Sequence, residues 1–174
     1  MKSEVLSNTN NDGDGLFLAA EKYEEKNDFK SAFKCLLMGA ELNHILSQIS
    51  LGNFYSWGRG TAQDTERAAY WYKKAYRNGS NIGAYNLALD KKKSGNIRAA
   101  VRWFEKAIDL DYGEACTELA KIRIGQRNGR RAAVRLLRKA VSMSSSSISD
   151  DGKEEAAKLL LTLTSRSPSE SGGV

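Results

Sequence analysis

Along the chain, apolar residues recur three and four positions apart and nowhere alternate with polar ones for more than a few residues, a pattern that predicts helices and argues against strands. The clearest stretch is RAAYWYKKA at 67–75, which returns as RAAVRWFEKA at 98–107 and RAAVRLLRKA at 131–140, and more faintly as KSAFKCLLMGA at 30–40. Aligning the small residue that opens each copy gives Ala32, Ala68, Ala100 and Ala133, spaced by 36, 32 and 33 residues. Seven positions later stand Gly39, Ala75, Ala107 and Ala140. Between them lie the bulky pairs Cys35-Leu36, Trp71-Tyr72, Trp103-Phe104 and Leu136-Leu137. Upstream of each copy, Ala19-Ala20, Leu51-Gly52, Leu87-Ala88 and Leu119-Ala120 share one register. Repetition of this length predicts a solenoid.

Small residues seven apart fall on one side of a helix and let a neighbouring helix come close, while the bulky pair fills the space between layers. Each repeat therefore reads as an antiparallel helix pair that cannot bury its apolar face alone, and a stack of pairs can. Asn27-Asp28, Ser94-Gly95-Asn96 and Asn128-Gly129 supply the hairpin turns. In the second repeat the turn is longer, WGRGTAQD, with Gly58 and Gly60 giving backbone freedom and Asp64 a helix cap. The expected repeats are 13–44, 45–81, 82–113 and 114–142. Then come a serine-rich linker without core-forming residues at 143–152 and a short helix at 153–164. That helix is opened by Asp151 with Glu154 three residues on, and its Ala156, Leu159, Leu160 and Leu163 are expected to cover the last repeat. Residues 1–12 and 165–174 are expected to be disordered.

Composition changes little in this picture: 41% apolar and 28% charged residues suit a globular chain, and the single proline, Pro168, lies beyond the helices. No apolar run follows the first residues and none approaches a membrane span, and Cys35 and Cys116 stand apart, so a cytoplasmic protein with two reduced thiols is expected. Charge adds more. The net +6 is uneven, since residues 1–30 carry seven acids and four lysines, whereas 119–141 carry eight bases and no acid.

At Ser47–Gly79 a family resemblance becomes specific. Leu51-Gly52, Tyr55, Gly58, Gly60, Asp64, Ala68, Trp71-Tyr72, Ala75 and Gly79 stand where the Sel-one-like repeat signature has its leucine-glycine, tyrosine, paired glycines, aspartate, alanine, tryptophan-tyrosine, alanine and glycine. The third repeat has a shorter turn without the paired glycines and resembles an ordinary tetratricopeptide repeat. So does the first, through Tyr23, Asp28, Phe29 and Ala32, and the fourth is the most diverged. The resemblance implies an all-α fold, a right-handed α-solenoid of about four helix pairs plus a C-terminal capping helix. It further implies a non-enzymatic adaptor or regulator that binds a protein partner in the groove lined by the first helices.

His44, the one histidine, has no cluster of ligands at metal spacing and reads as a solvated junction residue; no metal or cofactor is expected. In the tetratricopeptide register the groove runs from acidic through apolar to basic, with Asn53, Trp57, Tyr85, Leu89, Lys92, Lys93 and Lys121 as partner contacts. Trp71, Tyr72, Trp103 and Phe104 recur at a structural position and are read as core. The partner expected is a protein with an acidic patch or an extended segment, for instance a toxin or effector that the chain holds inactive as an immunity protein would. The alternative is nucleic acid bound by the basic fourth repeat through Arg123, Arg127, Arg131, Arg135 and Arg138, although residues 119–141 offer no aromatic on which a base could stack.

Overall fold

The computed structural model describes residues 12–165 and contains nine helices and no strand among them. In chain order they are α1 Gly13–Glu25, α2 Phe29–Glu41, α3 Ile45–Trp57, α4 Thr65–Arg77, α5 Asn81–Lys93, α6 Ile97–Asp109, α7 Gly113–Ile124, α8 Arg130–Ser142 and α9 Asp150–Ser165. They form two compact units, Met1–Trp103 and Phe104–Val174. The stretches 1–11 and 166–174, read from sequence as disordered, lie outside the described residues. Among the described residues no helix is long and apolar enough to cross a membrane.

Local chemistry starts most of these helices. The Asp12 carboxylate accepts the Gly15 amide at 2.7 Å, Asp28 that of Ser31 at 3.2 Å, and Asp64 those of Glu66 and Arg67 at 3.0 and 2.9 Å. Ser80 and Asn96 serve α5 and α6 in the same way. Each such cap satisfies a backbone donor that the first helical turn cannot pair internally. In the fourth repeat α7 and α8 begin without a side-chain cap among the described residues. For α7 the Ser147 carbonyl, from far along the chain, takes the Gly113 amide instead, at 2.6 Å.

In the first unit, α2 packs on α1, α3 on α2, α4 on α3 and α5 on α4. The small residues of the repeat are fully buried at Ala32, Ala68 and Ala75, and Leu36, Trp71 and Tyr72 fill the space beside them. Two glycines set how closely α4 is held. A Cβ on Gly52 would lie 2.5 Å from the Tyr72 ring, and one on Gly83 would lie 2.8 Å from the Tyr72 carbonyl oxygen. Buried Gln48 stitches the same layers, donating to the Ala40 carbonyl at 3.2 Å while accepting from the Asn78 amide at 3.1 Å.

In the second unit α8 packs on α7, and α9 packs on α8 and touches α7. Cys116, Ala133, Leu137 and Ala140 meet Ala156, with Leu159, Leu160 and Leu163 packed against them, so α9 covers its own last repeat. Residues 143–149 are not the unpacked linker expected from composition. Ile148 is buried against Gly113, whose Cβ position it nearly fills, and the Ser147 hydroxyl bonds to Asp111. Helix α9 also starts three residues early. Its cap is Ser149 rather than Asp151: the Ser149 hydroxyl accepts the Gly152 amide at 3.1 Å, and the Ser149 amide donates to Glu114 of α7 at 2.9 Å. A capping carboxylate drawn from another helix leaves no sequence-local signal.

The long α3–α4 turn carries a sharp test of this packing. Gly60 has φ +63° and a Cβ there would sit 2.1 Å from the Phe29 carbonyl oxygen, whereas Gly79, at φ +92°, has nothing within 4 Å of that position. Gly79→Ala is expected to cost about 1–2 kcal/mol for the left-handed backbone alone. Gly60→Ala should cost at least about twice as much, read from urea midpoints at unchanged slope. Equal losses would show that the turn does not rest on α2.

Candidate functional site

In the first unit, α3, α4 and α5 enclose a cavity of about 450 Å³ whose lining includes Asn53, Trp57, Tyr72, Asn86, Asp90 and Lys93. Its polar groups are tied in a chain. The Tyr72 hydroxyl donates to Asn53 Oδ1 at 2.7 Å, and Asn86 Nδ2 donates to the same oxygen at 3.2 Å. The Ser56 hydroxyl donates to Asp90 Oδ1 at 3.0 Å, and the Ser56 carbonyl accepts from Gln63 at 2.8 Å. Asp90 Oδ2 is buried with no hydrogen-bond partner among the described residues. Such an acceptor is costly to leave unmade.

Electrostatics follow from this burial. Desolvation lifts the Asp90 carboxyl above its ordinary range, opposed by the Ser56 hydrogen bond and by Lys93 and Lys91. Burial also raises the Tyr72 phenol, and the Asp90 charge adds to it. At the mouth stands Trp57, 58% exposed. The Arg59 guanidinium lies 5.0 Å from the Trp57 ring and 5.5 Å from that of Phe29, and it pairs with Glu24 at 3.7 Å. Held on both sides, Arg59 braces the indole at the rim. An exposed, oriented aromatic beside lysines is the kind of anchor that interfaces use.

Five of the seven expected partner contacts thus meet at one cavity: Asn53, Trp57, Leu89, Lys92 and Lys93. Tyr85 lies on the same helix, half-buried and outside the lining. Lys121 belongs to the second unit, where it pairs with Glu118 at 2.5 Å and with Glu155 of α9 at 2.8 Å. Sequence reasoning placed Ser56 on the groove face, missed Asn86 and Asp90, and assigned Tyr72 to the core. Tyr72 is indeed buried, at 2% exposure, yet its hydroxyl belongs to the cavity's hydrogen-bond chain. The signal for the others was present: Asn86, Asp90 and Lys93 fall four and seven apart, one stripe away from the register used.

The basic fourth repeat is partly spoken for. Arg123 pairs with Glu105 at 3.6 Å and donates to Gln126 at 3.1 Å, while Arg127, Arg131, Arg135 and Arg138 are exposed. A second cavity, of about 340 Å³, lies beneath Arg123, Arg135 and Lys139 on a floor that includes Ile108, Leu119 and Leu136.

His44 is not the solvated junction residue expected. Its Nδ1 accepts the Ser47 amide at 3.4 Å and lies 2.8 Å from the Ser47 hydroxyl, its Nε2 sits 3.0 Å from Asp14, and its ring meets Phe17 edge-on at 5.6 Å. Asp14, His44 and Ser47 therefore stand in the order of a hydrolytic triad. Ser47 is fully buried, and its hydroxyl lies 2.5 Å from where a Cβ on Gly39 would be. No substrate carbonyl can reach it, so the arrangement is a helix cap. Both cysteines are free and buried; burial pushes the Cys35 thiol up and that of Cys116 to about 11, the reverse of nucleophilic activation. Among the described residues no three His, Cys, Asp or Glu side chains are grouped to hold a metal ion.

The profile of the Sel1 repeat matches residues 18–44, 45–80, 82–112 and 113–145. Among solved structures, a Sel1 repeat protein from Oxalobacter formigenes superposes with a TM-score of 0.65 at 22% identity, over 83% of this chain and 57% of that one. A protective antigen of uropathogenic Escherichia coli strains displaying an SLR fold gives 0.66 at 14% identity, over 88% and 38%. MamA gives 0.62 at 18% identity, over 90% and 86%. The chain thus spans little over half of the first of these and less of the second, and identities this low carry the fold alone. No curated protein matches the chain.

The raised Asp90 carboxyl has a consequence for stability. Between its ordinary value of 3.8 and its raised value, the folded chain holds a proton that the unfolded chain has released, so acid favours folding there and ionisation above it opposes folding. Asp90→Asn, which keeps the shape and cannot ionise, should raise the urea midpoint near pH 7, and the gain should shrink as the pH falls to about 3.5. A lower midpoint near pH 7 would contradict this.

Proposed function

Since the chain belongs to the Sel1 repeat family, we propose that it is a non-catalytic interaction module that holds a segment of a protein partner over the α3–α5 cavity. The observation that carries this is a cavity rimmed by an exposed tryptophan, braced by Arg59, and lined by two lysines. A bound segment would lay an apolar group on Trp57 and offer carboxylates to Lys92 and Lys93. Apolar contact at the centre gives affinity, and the lysines fix direction. An acidic toxin or effector held inactive by the chain is one partner of this chemistry.

Catalysis has less support. Among the described residues the serine in relay geometry, Ser47, is sealed, and burial raises both thiols. Nucleic-acid binding by the fourth repeat also has less. Lys121 and Arg123 are already paired with carboxylates, and the segment lacks aromatics.

Capture from a native lysate treated with nuclease, compared between the parent chain and Trp57→Ala/Lys92→Glu, tests the assignment. The parent should retain one protein in near-stoichiometric yield. The double variant, with unchanged helicity, should bind it at least about tenfold more weakly, the loss of a single hot-spot contact. Equal retention by the variant, or recovery that vanishes with nuclease, would overturn the groove assignment.

A further inference from the structure

Helix α9 occupies the place of the first helix of a fifth repeat. It packs on α8 and touches α7, just as α3 packs on α2 and touches α1, and α5 packs on α4 and touches α3. The first helices α1, α3 and α7 also pack against the helix that follows them. For α9, the last of the described helices, that flank is open. Leu161 on it is the most exposed large apolar side chain among the described residues, at 69%, and Leu160 beside it packs partly against the unit's own core and is half-buried.

The open flank has a pattern of its own. Every second helix of the chain carries a small residue, a bulky pair three and four positions on, and a small residue at the seventh: Ala68, Trp71-Tyr72 and Ala75 are one set. The flank of α9 repeats it as Ala157, Leu160-Leu161 and Thr164. Thr164 can act as a small residue because its hydroxyl already donates to the Leu160 carbonyl at 2.9 Å. Of the charges beside this flank, Glu154 and Lys158 pair with each other at 2.5 Å, and Lys153 stands one turn before Ala157, at the end of the stripe. We propose that this face binds the same face of a second copy: the two α9 helices lie antiparallel, and each packs on the other as a second helix packs on the first helix of its own repeat, for example α4 on α3. Antiparallel pairing sets Leu160 against Leu161 of the partner copy and Ala157 against its Thr164. Small thus meets small and bulky meets bulky, and the contact closes as a two-fold dimer.

Sedimentation of the full chain over a range of concentrations should show a species of twice the chain mass that dissociates on dilution. Leu161→Glu alters a side chain the single chain leaves exposed. It should give monomer at every concentration with unchanged circular dichroism. For orientation, Ala157→Cys and Thr164→Cys variants should cross-link when mixed and oxidised, and neither should cross-link alone. Monomer throughout for the parent chain, or a dimer indifferent to Leu161→Glu, would overturn the proposal. Cross-linking of the single variants but not of the mixture would overturn the antiparallel pairing.

Discussion

The close approach of α4 to the helices on either side of it is the constraint on which the rest of the first unit depends. Gly52 and Gly83 have no side chain where α3 and α5 face α4, and the Tyr72 ring and the backbone at Tyr72 occupy that space. The distance between layers is therefore set by missing methyl groups, and the bulky pair Trp71-Tyr72 is sized to what remains. Interiors this tightly packed transmit a shift of a few tenths of an ångström.

The same approach builds the cavity. With the Tyr72 ring fixed against Gly52, its hydroxyl reaches Asn53 Oδ1 from one side while Asn86 reaches it from the other, so three helices share one acceptor. One turn further along α3, Ser56 holds Asp90 and leaves its second oxygen sealed and unpaired. Among the described residues, Asp90 Oδ2 is the buried side-chain oxygen of the first unit left without a hydrogen bond, as Glu114 Oε2 and Thr117 Oγ1 are in the second.

Much of the architecture was legible in the sequence because it rests on local, periodic signals. Ala68, Trp71-Tyr72 and Ala75 announce a helix and its buried face together, and Asp64 caps α4 as its position suggested. The four repeats read from these spacings lie close to the stretches matched by the family profile. What stayed hidden depends on partners distant in sequence. Ile148 is buried because it meets Gly113, His44 is tied because Asp14 comes beneath it, and Ser149 caps α9 with the help of Glu114. At the cavity, Trp57 stood out by size, but Asn86 and Asp90 required the rotation of α5 to be known to within one residue. Amphipathic spacing alone does not fix that where a helix is packed on more than one side.

Gly52→Ala tests the central claim most directly, because two effects oppose each other at this site. Helix propensity alone favours alanine in the middle of α3 by about 1 kcal/mol. The added methyl group would also press on the buried Tyr72 ring, and overpacking a tight core typically costs about 1–3 kcal/mol. If the approach of α3 to α4 governs the unit, urea unfolding of Gly52→Ala should show a net loss of up to about 2 kcal/mol. A variant more stable than the parent chain would show that the layers have room to spare, and would contradict the account.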